Sequence, residues 1–217
     1  MKKILSLLLA LAMLLSIVPA LAEPAEAVTE VGLPQVGDVV YGFEAKEIRD
    51  FPLVGAQAVL FEHQRTGAKL MYIANDDTNR VFNLSFRTTA INDTGLPHVF
   101  EHATLGGSKK YPSKALFFNL SYQTYNTYMN ASTYSVMTTY PIASLSEAQL
   151  LKYADYYTDS CLHPNVLEKE SIFRTEAWRY RLEKAEDPLT LEGTVYSEMQ
   201  GAMNLNRFAN MEVDMTC

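Results

Sequence analysis

The stretch Asp93–Phe118, DTGLPHVFEHATLGGSKKYPSKALFF, wraps a helix signal around a metal-ligand spacing. Asp93 or Thr94 is the expected N-cap, and Pro97 falls in the first turn, where its missing N–H costs little. Gly106-Gly107 supplies the stop. Inside the helix, His98-x-x-Glu101-His102 sets two imidazoles at positions i and i+4, about 40° apart on one face, so both rings can reach one cation. Glu101, at i+3, points near the same face. This order, H-x-x-E-H, mirrors the H-E-x-x-H arrangement of zinc helices. A half-buried helix turn whose rings bond backbone carbonyls has the same spacing, so the motif does not suffice by itself.

A catalytic zinc site normally takes three protein ligands and leaves the fourth position open. One donor must therefore come from a second element. The best candidate is Glu198, in LEGTVYSEMQGAMNLNRFANM, where Gly193-Thr194 can open a helix and Val195, Met199, Ala202, Met203 and Asn206 recur at helical spacing.

Upstream, VVYGFEAKEI, AQAVLFEHQ, AKLMYIAN and RVFNLSFRT alternate apolar and polar residues between Val39 and Thr88. They predict four strands of an antiparallel meander. His63 reads as an ordinary strand histidine. Downstream, a short helix is expected near Ser113–Leu120, then extended runs in TYNTYMNAST and YSVMTTYPI. Helices are expected over about Ser146–Cys161 and Asn165–Lys184, with Trp178 and Arg179 as helix core and surface. Tyr122, Tyr125, Tyr128, Tyr134 and Tyr140 read as sheet packing. Strands first and helices afterwards indicate an α+β fold, an antiparallel sheet packed against several helices.

Four stretches together resemble the pitrilysin family of zinc metalloendopeptidases, of the inverzincin type, and most closely its presequence-protease branch: Asp93–Phe118, TYMNASTYSVMTTYP, EAWRYRLE and GTVYSEMQGA. The likeness runs from about Val39 to about Phe208. It implies the family's N-terminal metallopeptidase domain, with His98, His102 and Glu198 as Zn2+ ligands and Glu101 as catalytic base. It further implies that Asn130-Ala131 lie on a strand edge that pairs with substrate, and that Glu192 supports the metal ligands from behind. Ser197 departs from the family's usual asparagine. Family enzymes have two related halves, whereas this sequence matches only the first domain. Arginine and tyrosine residues that the family draws from its distant half have no counterpart. The resemblance thus implies hydrolysis of unstructured peptides, or else an incomplete piece or a non-catalytic peptide-binding subunit needing a missing C-terminal half or companion.

Composition narrows the classes. The formal charge is −7 over 217 residues. Nucleic-acid binding needs clustered Lys and Arg that this chain lacks, so nucleic acid is not expected as a partner. Lys2-Lys3, the apolar run Ile4–Val18 and Ala20-Leu21-Ala22 read as a bacterial-type signal peptide over residues 1–22. Residues 23–38 read as a linker and 39–217 as the metallopeptidase domain. A secreted or extracytoplasmic location is therefore expected, with no stable membrane anchor after cleavage. Cys161 and Cys217 form no C-x-x-C pair and mark no cysteine-rich zinc site.

Overall fold

The computed structural model describes residues 32–202, and the chain divides between Asp76 and Asp77 into two compact units. The signal-peptide expectation, most of the linker, Cys217 and the helix positions Met203 and Asn206 lie outside the described residues.

In the first unit, β1 (Val39–Val40), β2 (Phe43–Phe51), β3 (Ala56–His63) and β4 (Lys69–Ala74) form one antiparallel sheet in that order. The run VVYGFEAKEI is two strands rather than one, because Tyr41 and Gly42 both adopt positive φ (49° and 82°). That is the backbone of a two-residue hairpin turn with the twist antiparallel strands favour. Along β3, Val59 and Phe61 point inward with Ala45, as the two-residue period of a strand requires, and Phe43 and Ile48 pack against them. His63 keeps its ordinary role, bonding Thr66 Oγ1 at 2.8 Å with its ring tilted against Phe43.

The second unit begins with β5 (Arg80–Arg87), expected as the fourth strand of the same meander. It pairs instead along its whole length with β8 (Met137–Ser144), from Arg80↔Ser144 to Arg87↔Met137. Alternation marks a strand but not its partner, and β8 offers the more buried one, with Thr138, Tyr140, Ile142, Ala143 and Ser144 all covered. On the other side of β8 lie β6 (Asn126–Met129) and β7 (Ser132–Thr133). Between β5 and β6 come α1 (Leu96–Leu105) and α2 (Leu116–Gln123).

Helix α3 (Glu147–Leu162) buries Leu150, Tyr153, Tyr156, Tyr157 and Ser160, a stripe at helical spacing, onto Tyr140, Ile142 and Leu105. The core aromatics are therefore mainly those of α3. Of the five tyrosines expected in sheet packing only Tyr140 is core, while Tyr122, Tyr125, Tyr128 and Tyr134 are exposed. Burial pushes the Cys161 thiol up to about 12, which keeps it protonated and inert.

The long helix expected after Asn165 is broken. A 3-10 turn at Asn165–Leu167 leads to α4 (Glu170–Glu176), which stops at Ala177. The chain then forms the hairpin of β9 (Arg179–Arg181) and β10 (Thr190–Glu192). Trp178 consequently lies in a connection, 44% exposed, and Arg179 on a strand rather than a helix surface. The hairpin wins because Arg179 faces Glu192 across it, with the guanidinium donating to Glu192 Oε1 at 2.8 Å.

Helix α5 (Thr194–Ala202) follows directly. Its approach depends on Gly193, where a Cβ would lie 2.2 Å from Ala177 O and 2.7 Å from Trp178 Cα. Backbone atoms cannot step aside as a flexible side chain can. Gly193→Ala is therefore expected to cost about 1–3 kcal/mol or more, the range for overpacking. A thermal melt followed by circular dichroism reads this directly, and an unchanged midpoint would refute the close approach.

Candidate metal centre

Helix α1 carries the H-x-x-E-H run, but neither expected cap closes its N-terminus. Gly95 takes the cap position with φ 67°, while Thr94 turns back to donate its N–H and hydroxyl to Asn92 Oδ1. A glycine adopts this left-handed backbone without a Cβ clash, so the helix starts through backbone geometry instead of a side-chain bond. The helix ends at Gly106, as the glycine pair predicts. The loop beyond is braced by α3: Asp159 Oδ2 accepts from Ser108 Oγ (2.6 Å) and from Lys110 N–H (2.8 Å).

His98 and His102 stand one turn apart with ring centroids 4.9 Å from each other. Both turn Nε2 toward Glu198 on α5. His98 Nε2 lies 3.7 Å from Glu198 Oε1, and His102 Nε2 lies 3.4 Å from Glu198 Oε2. One ligand atom from each of the three falls within 4.8 Å of the others. Ligands about 2.0–2.1 Å from a tetrahedral zinc sit roughly 3.3–3.4 Å apart, so two imidazoles and a carboxylate at these separations suit that ion in both chemistry and spacing.

Glu101 is not a member of that cluster, though it lines the same cavity. It is 6% exposed, and Thr133 on β7 donates its hydroxyl to Glu101 Oε2 at 2.5 Å. Thr133 in turn contacts Thr138 on β8 (3.3 Å), which bonds Thr88 (2.7 Å), tying the carboxylate to two strands and to the residue that follows β5.

Two residues that sequence reasoning left without a role stand at the centre. Thr133 is one. The other is Glu176, the last residue of α4, whose Oε2 lies 3.6 Å from His102 Nδ1, an ion-pair separation just beyond a hydrogen bond. Its other oxygen lies 3.5 Å from Lys114 Nζ. Glu176 belongs to the quoted EAWRYRLE stretch, but no local spacing links it to a helix so far back in the chain. The Glu176 contact, helped by the negative charges of Glu101 and Glu198, raises the His102 pKa against the opposing effect of burial. Burial likewise opposes ionisation of Glu176, yet His102, Thr194 and Lys114 outweigh it and hold its carboxyl below the usual range.

Glu192, expected to support the ligands, is corrected by the structure. It sits on extended β10, so helical spacing to Glu198 does not apply, and Arg179 (2.8 Å) and Arg181 (3.6 Å) occupy its carboxylate. Asn130 and Ala131 lie between β6 and β7 and line the same cavity of about 1000 Å³ as His98, Glu101, His102 and Glu198. The Asn130 backbone is already engaged, its N–H with Pro141 O (3.2 Å) and its carbonyl with the Tyr157 hydroxyl (2.9 Å).

Residues 87–208 match the family described as Insulinase (Peptidase family M16). The chain is 40% identical over 165 residues to Protein HypA of Clostridium perfringens, covering 76% of this chain and 17% of that one. It is 40% identical over 192 residues to the mitochondrial presequence protease of Gibberella zeae, covering 85% and 19%. With presequence protease 1, chloroplastic/mitochondrial, of Arabidopsis thaliana the identity is 34% over 187 residues, covering 86% and 17%. The chain thus spans less than a fifth of the length of these relatives. A crystal structure of pitrilysin aligns with TM-score 0.48 and 22% identity over 57% of this chain and 14% of its own. These names overturn the expectation of a secreted, extracytoplasmic protein with a bacterial-type signal peptide: the presequence proteases are mitochondrial or chloroplastic.

Proposed function

Because the chain belongs to the insulinase (M16) family of peptidases, we propose that it supplies the zinc-binding catalytic domain of a metalloendopeptidase acting on unstructured peptides. The observation that carries this reading is the convergence of His98, His102 and Glu198, from two helices, within 4.8 Å. When bound, zinc supplies Lewis acidity to a peptide carbonyl and lowers the pKa of water toward about 7.

The chain's own residues do the rest. Glu101, held by Thr133 and outside the ligand set, takes the proton of the attacking water and returns it to the leaving amine. The β6–β7 edge, with Asn130 and Ala131 at its break, offers main-chain groups to an extended peptide, an interaction that grips with little regard to sequence. Ala131 and the β7 residues are the better placed of these, given the bonds that Asn130 already makes.

A second reading concerns how the domain works. The chain spans 17–19% of its relatives' length, which supports a role as one part of a larger peptidase whose remaining half or a companion closes the peptide chamber. Excluding water strengthens electrostatic stabilisation, so turnover by this part alone would be slow. Zinc stoichiometry and hydrolysis of an unstructured peptide, with and without a chelator, test the proposal. Hydrolysis that survives complete metal removal would sink it.

Metal affinity should also depend on pH with a definite sign. Zinc needs the neutral imidazole, and the raised pKa of His102 keeps its ring protonated to higher pH than an ordinary histidine. Zinc is therefore expected to be lost as pH falls through that raised value, beginning above the usual histidine range near about 6.5. A zinc titration across neutral pH checks this. Affinity that stays flat until well below pH of about 6 would contradict it.

A further inference from the structure

Helices α1, α4 and α5 each bring charged or imidazole side chains to the metal centre, and α1 and α5 carry its candidate ligands. Helix α4 contributes the third presence, Glu176, whose side chain is 12% exposed and lies against the back of His102. The two nitrogens of His102 divide cleanly: Nε2 faces Glu198 at 3.4 Å and Nδ1 faces Glu176 at 3.6 Å. Such a division favours one tautomer over the other. A ring whose Nδ1 carries the proton toward a carboxylate presents the Nε2 lone pair to a cation, and the carboxylate makes that lone pair more basic.

We propose, on the metal-centre reading above, that Glu176 is the positioning residue of this site: it holds His102 through Nδ1 in the ligating tautomer and is itself held by Lys114. Each part of the arrangement has its own reason. His102 lies near the end of α1, where rotation about its side-chain bonds would otherwise carry Nε2 off the ligand cluster. Glu176 ends α4, so its backbone is set by the helix while its carboxylate spans two partners. Lys114 lies 3.5 Å from the oxygen that does not face His102, which turns the opposite oxygen toward the ring. Lys114 also matters for charge. Glu101, Glu176 and Glu198 bring three carboxylates to one cavity, and the ammonium offsets part of that negative density without entering the ligand cluster.

Glu176 comes from a different element than the helix bearing Glu198, so support for the ligand shell crosses between α4 and α1. The close seating of Gly193 on Ala177, the residue directly after Glu176, keeps both acids in one frame. The positioning acid and the third ligand are thus placed by the same backbone contact.

The test measures the zinc dissociation constant of the full chain by chelator competition, for wild type, Glu176→Gln and Glu176→Asp, beside a thermal melt of each. Glu176→Gln is expected to bind zinc about 10–100-fold more weakly, the usual effect of removing a carboxylate behind a ligating histidine. Glu176→Asp, which keeps the charge but withdraws the carboxylate from His102 Nδ1, weakens zinc in the same direction by a smaller factor and carries the test if the first variant fails to fold. NMR of the imidazole nitrogens in zinc-loaded wild type gives a readout that general destabilisation would not move: His102 should be protonated at Nδ1 and ligated through Nε2. Ligation through Nδ1, or wild-type affinity in both variants, overturns the role of Glu176. A wild-type chain that binds no zinc overturns the metal centre itself and is thereby distinguished from failure of the positioning role.

Discussion

Glu101→Gln should leave zinc bound at full stoichiometry while peptide hydrolysis falls by about 10²–10⁴-fold, the contribution of a positioned general base. The separation of the two effects follows from geometry. His98, His102 and Glu198 gather their donor atoms within 4.8 Å, and Glu101 is not among them. Its carboxylate instead accepts the Thr133 hydroxyl at 2.5 Å in a nearly closed position. A glutamine keeps the volume and retains an oxygen that can accept the same bond, so packing around α1 is preserved. What it loses is the capacity to take a proton from water. The experiment pairs metal analysis with a peptide assay on whichever form of the enzyme turns over. Normal cleavage by the variant would remove Glu101 from the reaction, and loss of zinc would show that it had been a ligand after all.

Removing a ligand should give the opposite pattern, with metal and activity lost together. His98→Ala and Glu198→Ala each leave two donors where a catalytic zinc normally has three from protein. Glu198 is the more informative of the two. Its side chain is 53% exposed on α5, so truncation to alanine disturbs little packing, and His98 and His102 stay one turn apart on their own helix. Bound zinc is expected to drop from about one ion per chain to a small fraction of that, with the melting transition of the metal-free protein nearly unchanged. Retention of stoichiometric zinc by Glu198→Ala would mean that the third ligand lies elsewhere.

The parts of this centre that were legible in the amino-acid sequence are those that depend on spacing within one helix. His98, Glu101 and His102 share α1, and the period of the helix alone puts the two rings together. Glu198 was reachable because a glycine opens its helix and an acid follows within the first turns. The fold was legible to the same depth. Strand and helix positions follow alternation and period, while pairing does not: β5 looks like a neighbour of β4 until β8 is seen to bury more of its surface. The break at Ala177 was hidden for a similar reason. Residues 165–184 suit a helix locally, and only the cross-strand pair of Arg179 and Glu192, thirteen residues apart, favours the hairpin. Glu176 carries no local signal because its partner ring lies in another helix, and Glu192 follows from the family resemblance, which does not anticipate that its residue lies on a strand. Tertiary contact, rather than local pattern, assigns these two acids.

Thr133 has a consequence that reaches past its single hydroxyl. It sits on a two-residue strand paired Ser132↔Thr139 and Thr133↔Thr138, and side chains alternate faces along such a ladder. Slippage by one residue would swing the hydroxyl to the opposite face and strand the glutamate without its donor, while both histidines and Glu198 kept their places. An insertion or deletion between Met129 and Thr133 would then yield a protein that passes every assay for metal and fails at turnover, a silent lesion written in strand alignment and not in any ligand.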